Sequence, residues 1–203
     1  MIGKKMRITA VSGLLALSMT SAAFAAYHVT DGPRNVTFAF SQAPQEGRAG
    51  VIEENFDPSA AKGLTPGQSF RKSAAAVSYV SYRAHAFLMI EMPTVSAKLG
   101  NDTEKKVYDL AVPDAPKAGW TLCGRKVSTA AGTPSRYVYR YMKELPAGEK
   151  TSNAVESFRV QDFTAVSAFE GDITIKGYMV QFDNVSADDA VQKACGYFGA
   201  DKL

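Results

Sequence analysis

Histidine is the side chain most often used for acid–base chemistry near neutral pH, and the sequence has only His28 and His85. His28 lies near the N-terminus, where chain ends are usually mobile. His85 lies on the polar face of a predicted strand, and we interpret it as a surface or packing histidine. The sequence has no His-Glu-x-x-His zinc motif, no Gly-x-Ser-x-Gly elbow and no glycine-rich phosphate loop. We therefore predict that the protein is not an enzyme and requires no cofactor.

Acidic residues are the other candidates for chemistry. Glu53, Glu54 and Asp57 would supply the oxygen ligands that Ca²⁺ prefers, but they lack the alternating Asp-x-Asp pattern of a calcium loop. A solvated acidic turn is the simpler interpretation. The segment 186–189, Ser-Ala-Asp-Asp, matches a capping box and predicts acidic residues in the first turn of a helix. Neither group predicts a metal site.

The first 25 residues have the pattern of an export signal. Basic residues precede a short apolar run, Ile8–Met19, and Ala23 and Ala25 form a small-x-small cleavage site before Ala26. The run is shorter than the ~20 apolar residues needed to span a bilayer. An uncleaved membrane anchor is the alternative. We expect cleavage, and a protein secreted to the extracellular matrix or cell surface without further membrane attachment.

The predicted mature chain, residues 26–203, is electrically neutral. Three of the 23 basic residues lie in the signal, which leaves 20 basic against 20 acidic side chains. A neutral chain without a basic tract offers no electrostatic basis for binding nucleic acid. Overall, 46% of the residues are hydrophobic and 21% are charged, values that exclude collagen-like and disordered chains.

Export also affects how Cys123 and Cys195 are interpreted. Outside the cytoplasm a lone cysteine pair usually forms a disulfide, and we predict one here. Free thiols and metal ligation are the alternatives. The chain contains no Cys-x-x-Cys motif or Cys–His cluster of the kind that zinc sites use.

Alternating apolar residues predict a mainly β protein. The first predicted strand comprises Asn35, Val36, Thr37, Phe38, Ala39 and Phe40, followed by a loop over 41–50. Further strands are predicted at 80–92, 137–142, 155–166 and 173–182, with turns at 64–67 and 145–148 and a helix after Ser186. A long connection is predicted over 94–119, containing a short strand or turn around 107–112. This order favours one antiparallel, jelly-roll-like β-sandwich over residues 26–203, with long loops and a short C-terminal helix.

Several short motifs, taken in order, resemble the TasA/camelysin family of secreted biofilm-matrix proteins. They are Ala26–Asp31 with Asn35–Phe38, Glu53–Asp57, Leu64–Gly67 with Lys72, Val77–Pro93, Tyr137–Tyr139, Leu145–Thr151 with Phe158, and Ile173–Gln181 with Asp188–Ala194. The cysteine pair is not part of that pattern, and Tyr82-Arg83 stands where an Asn-x-Gly turn would be expected.

The resemblance implies a jelly-roll subunit, processed by a dedicated signal peptidase, that forms a homopolymeric fibre with accessory or anchoring proteins. In such fibres residues 26–42, containing the predicted strand, would complete the sheet of the next subunit. Two other functions stay open. One is a surface-binding or adhesin module. The other is a secreted metalloprotease, because camelysin, a member of the family that the sequence resembles, is described as a protease.

Overall fold

The computed structural model describes residues 39–42, 49–54, 61, 64–165 and 172–203. The chain is mainly β, with a short C-terminal helix, α1 (Ala187–Phe198). The described strands are β1 (Ala39–Gln42), β2 (Ala49–Glu54), β3 (Ser69–Ser78), β4 (Ala84–Met92), β5 (Thr94–Leu99), β6 (Lys106–Asp109), β7 (Ala111–Pro113), β8 (Trp120–Lys126), β9 (Ser135–Tyr141), β10 (Val155–Val160), β11 (Phe163–Ala165), β12 (Asp172–Gln181) and β13 (Asp201–Lys202).

The strands form two main sheets that enclose one core, as the predicted antiparallel sandwich requires. The larger sheet has the order β1-β12-β4-β9-β8-β13, and the smaller has the order β2-β3-β10-β7. A third, three-stranded antiparallel sheet has the order β11-β5-β6. Leu88 from the larger sheet and Phe158 from the smaller are both fully buried in the shared core. The β-sandwich with a C-terminal helix is thereby confirmed.

Strand β4 is buried on both of its faces. Leu88 and Ile90 point into the core between the two main sheets, whereas Phe87 and Met89 belong to a second cluster beneath α1. The polar face predicted for 80–92 is partly confirmed, since Ser81 and Arg83 are exposed and Glu91 is intermediate, but the face is buried from His85 to Met89. The helix covers the face, and a single strand cannot reveal from its sequence what packs above it.

Helix α1 begins and ends with recognisable capping residues. The Ser186 side chain accepts a hydrogen bond from the Asp189 backbone N–H, and Gly199 closes the C-terminus in a left-handed conformation at φ 62°. Ala190, Val191, Ala194 and Phe198 are buried, as the predicted helical face requires. Both ends of the helix are therefore capped, and its buried face packs against the larger sheet.

Strands β2, β3, β5, β8 and β13 lie where no strand was predicted, and the predicted strand at 155–166 is divided between β10 and β11, which belong to different sheets. Strand β3 contains a run of buried alanines, which are weak strand formers, so its sequence lacks the usual β signal. Strand β5 lies in the region predicted as a long connection. Pro93 ends β4 as expected, but the chain leaves the larger sheet there and pairs with β6 and β11 instead.

Replacing the capping serine should weaken the attachment of α1. The variant Ser186→Ala loses the acceptor for the Asp189 N–H, and we expect the free energy of unfolding to fall by about 1 kcal/mol. Chemical denaturation measures this change. Ser81→Ala, at an exposed bend, is the matched control and should change stability by less than about 0.5 kcal/mol. Equal effects of the two variants would contradict the capping role.

Candidate assembly edge

Among the described strands, β1 is the outermost of the larger sheet on one side and pairs in parallel with β12. Four residue pairs join them within the described part of the chain, with Ala39 opposite Asp172 and Gln42 opposite Ile175. Every other pairing described in this sheet is antiparallel. A short parallel pairing is slightly less stable per residue than an antiparallel one. In the described residues, the attachment of β1 to the sheet therefore rests on a short parallel pairing with a single neighbouring strand.

Strand β12 does not depend on β1 for its position. Its other edge pairs with β4 over eight residue pairs, from Thr174 opposite Glu91 to Gln181 opposite Ala84. Ile173 and Ile175 are fully buried in the main core, directly at the positions that β1 pairs with. Departure of β1 would therefore leave an ordered edge at 172–175, with unpaired backbone groups beside an apolar core.

The predicted N-terminal strand is partly described. Ala39 and Phe40 lie in β1, so a strand is confirmed at these two residues, and it continues to Gln42. Asn35, Val36, Thr37 and Phe38 lie outside the described residues, as do Ala23, Ala25 and Ala26 of the predicted cleavage site. Most of the predicted 41–50 loop is also outside them, but its described residues are strand rather than loop, with Ser41 and Gln42 in β1 and Ala49 and Gly50 in β2.

The predicted Cys123–Cys195 disulfide is wrong, because both cysteines are free, buried thiols. Cys123 occupies a β-bulge, since the β8–β9 register shifts between Leu122 and Gly124. The bulge directs its Sγ to the Val138 carbonyl oxygen, 3.3 Å away, and Cys195 Sγ lies 3.9 Å from the Cys123 carbonyl oxygen. The bulge has no signal in strand periodicity, so the sequence could not reveal it.

His85 is a packing residue rather than a surface one. Its side chain is buried, its Nε2 donates to the Val185 carbonyl oxygen at 3.1 Å, and its ring lies 4.6 Å from that of Phe182. The predicted polar face is covered here by the connection between β12 and α1. His28 lies outside the described residues.

The predicted acidic turn is also partly wrong. Glu53 and Glu54 belong to β2 and pair with Ala74 and Ser73, whereas Asp57 lies outside the described residues. Across the described ranges, no group of three or more His, Cys, Asp and Glu side chains could hold a metal ion. The same ranges contain no helix long and apolar enough to cross a membrane.

A hydrogen bond between a buried carboxyl and a partly buried phenol was not predicted from the sequence. The Tyr137 hydroxyl donates to Asp109 Oδ2, joining the end of β6 to β9. Burial raises the pKa of Asp109, and hydrogen bonds from Ser135 and Tyr137 offset only part of this rise. Alternation predicts the strand that contains Tyr137, but Asp109 lies in a different sheet and leaves no local signal.

Comparison with known proteins does not add a relative to this description. No family model, curated protein or solved structure matches the chain. The functional argument therefore rests on the residues and on the geometry of the β1–β12 edge.

The two thiols should resist modification while the protein is folded. Burial, reinforced by the neighbouring Cys195, raises the pKa of Cys123 to about 12, so almost no thiolate exists at pH 8. We expect an alkylating reagent to leave both cysteines intact in the native protein and to modify both after denaturation without reductant. An exposed Ser81→Cys variant supplies a reactive thiol as control. Failure to label the denatured, unreduced chain would contradict the free-thiol assignment.

Removing the charge of Asp109 should stabilise the protein at neutral pH. Because the folded-state pKa is raised, ionisation of this carboxyl costs stability above its folded pKa, and the cost disappears below its unfolded pKa near 3.8. Asp109→Asn keeps an acceptor for Tyr137 and should raise Tm at about pH 7 but not at about pH 3. Thermal unfolding at both pH values checks this. A lower Tm at pH 7 would contradict the assigned burial cost.

Proposed function

We propose that this chain is a secreted structural subunit of extracellular biofilm-matrix fibres, which polymerises head-to-tail by exchange of its N-terminal strand. The observation that carries the proposal is the position of β1, a four-residue parallel strand at the edge of the larger sheet. The short sequence motifs whose order resembles the TasA/camelysin family support the same function.

Strand exchange requires little net change in bonding. The four residue pairs between β1 and β12 can form between two chains as readily as within one, so the backbone hydrogen bonds of the subunit are retained. Because each donated strand leaves its own acceptor edge vacant, the contact is head-to-tail. A head-to-tail contact whose rotation does not close generates an open filament.

The charge of the predicted mature chain favours close association. With 20 basic and 20 acidic side chains in residues 26–203, identical subunits experience no net repulsion. The proposed partners are further copies of the same chain, with accessory or anchoring proteins in the matrix. Nucleic acid and membrane are not part of the proposal.

The two alternatives make different predictions from a fibre subunit. An adhesin module would keep the same sandwich but stay dispersed, binding sugar or protein through its loops. A metalloprotease would cleave protein substrates and lose that activity with a chelator. Self-association at neutral pH separates the fibre subunit from both.

Removal of β1 should abolish assembly without unfolding the subunit. We expect residues 26–203 to form fibres visible by electron microscopy, and residues 43–203 to remain monomeric with an unchanged β-type circular dichroism spectrum. The truncation begins at Ala43 because β1 extends to Gln42. Fibres of the same appearance from the truncated chain would contradict strand exchange.

A peptide of residues 35–42 offers a matched test that leaves the subunit intact. Added in excess, it should bind the 43–203 chain at the vacated β12 edge and shorten fibres of the 26–203 chain. A scrambled peptide of the same composition is the control. Equal effects of the two peptides would mean that the edge does not recognise this strand.

A further inference from the structure

Two tyrosines lie face to face on the outer side of the larger sheet. Tyr178 belongs to β12 and Tyr197 to the last turn of α1, and their ring centroids are 4.4 Å apart with an angle of 15° between the ring planes. Tyr197 is 50% exposed, whereas Tyr178 is half-buried against the cluster beneath the helix. The pair is therefore reachable from solvent through Tyr197.

The stacked arrangement is held by elements that are themselves fixed. Phe198 is buried and meets both rings edge-on, with centroid distances of 5.9 Å to Tyr178 and 5.1 Å to Tyr197. The backbone of Tyr178 pairs with Phe87 of β4. The C-terminal end of the helix is held by Arg136, whose Nη1 donates to the Phe198 carbonyl oxygen at 3.0 Å. The two phenols are thus positioned before any reaction takes place.

We propose that Tyr178 and Tyr197 form a site of oxidative modification, at which a one-electron oxidant joins the two rings as dityrosine. The inference does not depend on the fibre hypothesis, because it concerns two side chains of a single subunit. Its consequence is a covalent connection between α1 and the sheet that it covers. The oxidant class is hydrogen peroxide used by a haem peroxidase.

The reaction balances without any group from the protein beyond the two phenols. Each tyrosine gives one electron and its phenolic proton, which produces two phenoxyl radicals with spin density on their ortho carbons. A carbon–carbon bond forms between the two ortho carbons, and each ring then moves its ortho hydrogen to oxygen to restore the phenol. Peroxide accepts the two electrons and two protons, its O–O bond breaks, and two water molecules leave.

Mass spectrometry after trypsin digestion tests the proposal directly. Cleavage after Lys176, Lys193 and Lys202 places Tyr178 in the peptide 177–193 and Tyr197 in the peptide 194–202. After treatment of the full mature chain with horseradish peroxidase and hydrogen peroxide, we expect these two peptides to be joined with the loss of two hydrogen atoms. Blue dityrosine fluorescence should appear in parallel.

Isotope mixing separates a link within one chain from a link between chains. In an equal mixture of ¹⁵N-labelled and unlabelled protein, an intramolecular link gives only fully labelled and fully unlabelled peptide pairs. Mixed pairs in statistical proportion would overturn the proposal. They would show that collisions between exposed tyrosines, rather than the stacked geometry, produce the link.

Conservative variants provide the matched controls. Tyr178→Phe and Tyr197→Phe keep the aromatic packing but remove a phenol, and each should abolish the joined peptides. Tyr79→Phe removes a tyrosine that is 55% exposed but lies against the backbone of Gly50, and it should leave the link unchanged. Joined 177–193 and 194–202 peptides in the Tyr197→Phe variant, or none in the unmodified sequence, would overturn the proposal.

The link should also stabilise the folded chain. It closes the segment between β12 and α1, which restricts the unfolded chain as any internal cross-link does. We expect Tm of the oxidised protein to rise by roughly 5–10 °C, and Tm of peroxidase-treated Tyr197→Phe to stay unchanged. An equal rise in both proteins would mean that the stabilisation comes from oxidation elsewhere.

Discussion

Strand β4 carries large apolar side chains on both faces, so the larger sheet needs a covering layer on each side. The smaller sheet supplies one layer over Leu88 and Ile90, and α1 supplies the other over Phe87 and Met89. Burying a side chain of this size is worth about 1.5–3 kcal/mol, and all four are at most 1% exposed. The position of β12, and hence of the edge that β1 occupies, follows from its long pairing with this strand.

The sequence predicted those elements whose signals are local. Alternation identified β9 and β12, and the Ser186 cap with its acidic first turn identified α1. It did not identify β3, where buried alanines replace the branched and aromatic residues that usually mark a strand. Nor could it show that His85 is covered, because the covering segment lies a hundred residues away along the chain.

The candidate assembly edge likewise combines a local feature that the sequence predicts with a long-range one that it does not. A strand containing Ala39 and Phe40 could be predicted from alternation, but its parallel pairing with β12 is a long-range property with no sequence motif. The cysteines show that a general rule can also predict too much. Paired cysteines in exported proteins usually form a disulfide, but Cys123, which lies in a β-bulge, and Cys195 are both free thiols. One extra residue in β8 changed the direction of a side chain, and strand periodicity cannot register such a change.

The central claim is that β1 of one subunit occupies the β12 edge of another, and an engineered cross-link tests it most directly. Ser41 and Thr174 are partners in the parallel register, at a Cα separation suited to a disulfide. A chain with Ser41→Cys would be assembled together with a chain with Thr174→Cys under mild oxidation, and linked chains would be separated on a denaturing gel. The account predicts disulfide-joined pairs containing one chain of each kind, which the unsubstituted protein does not form. The account would be contradicted if the mixture gave no such pairs while a single chain with both substitutions formed the link internally.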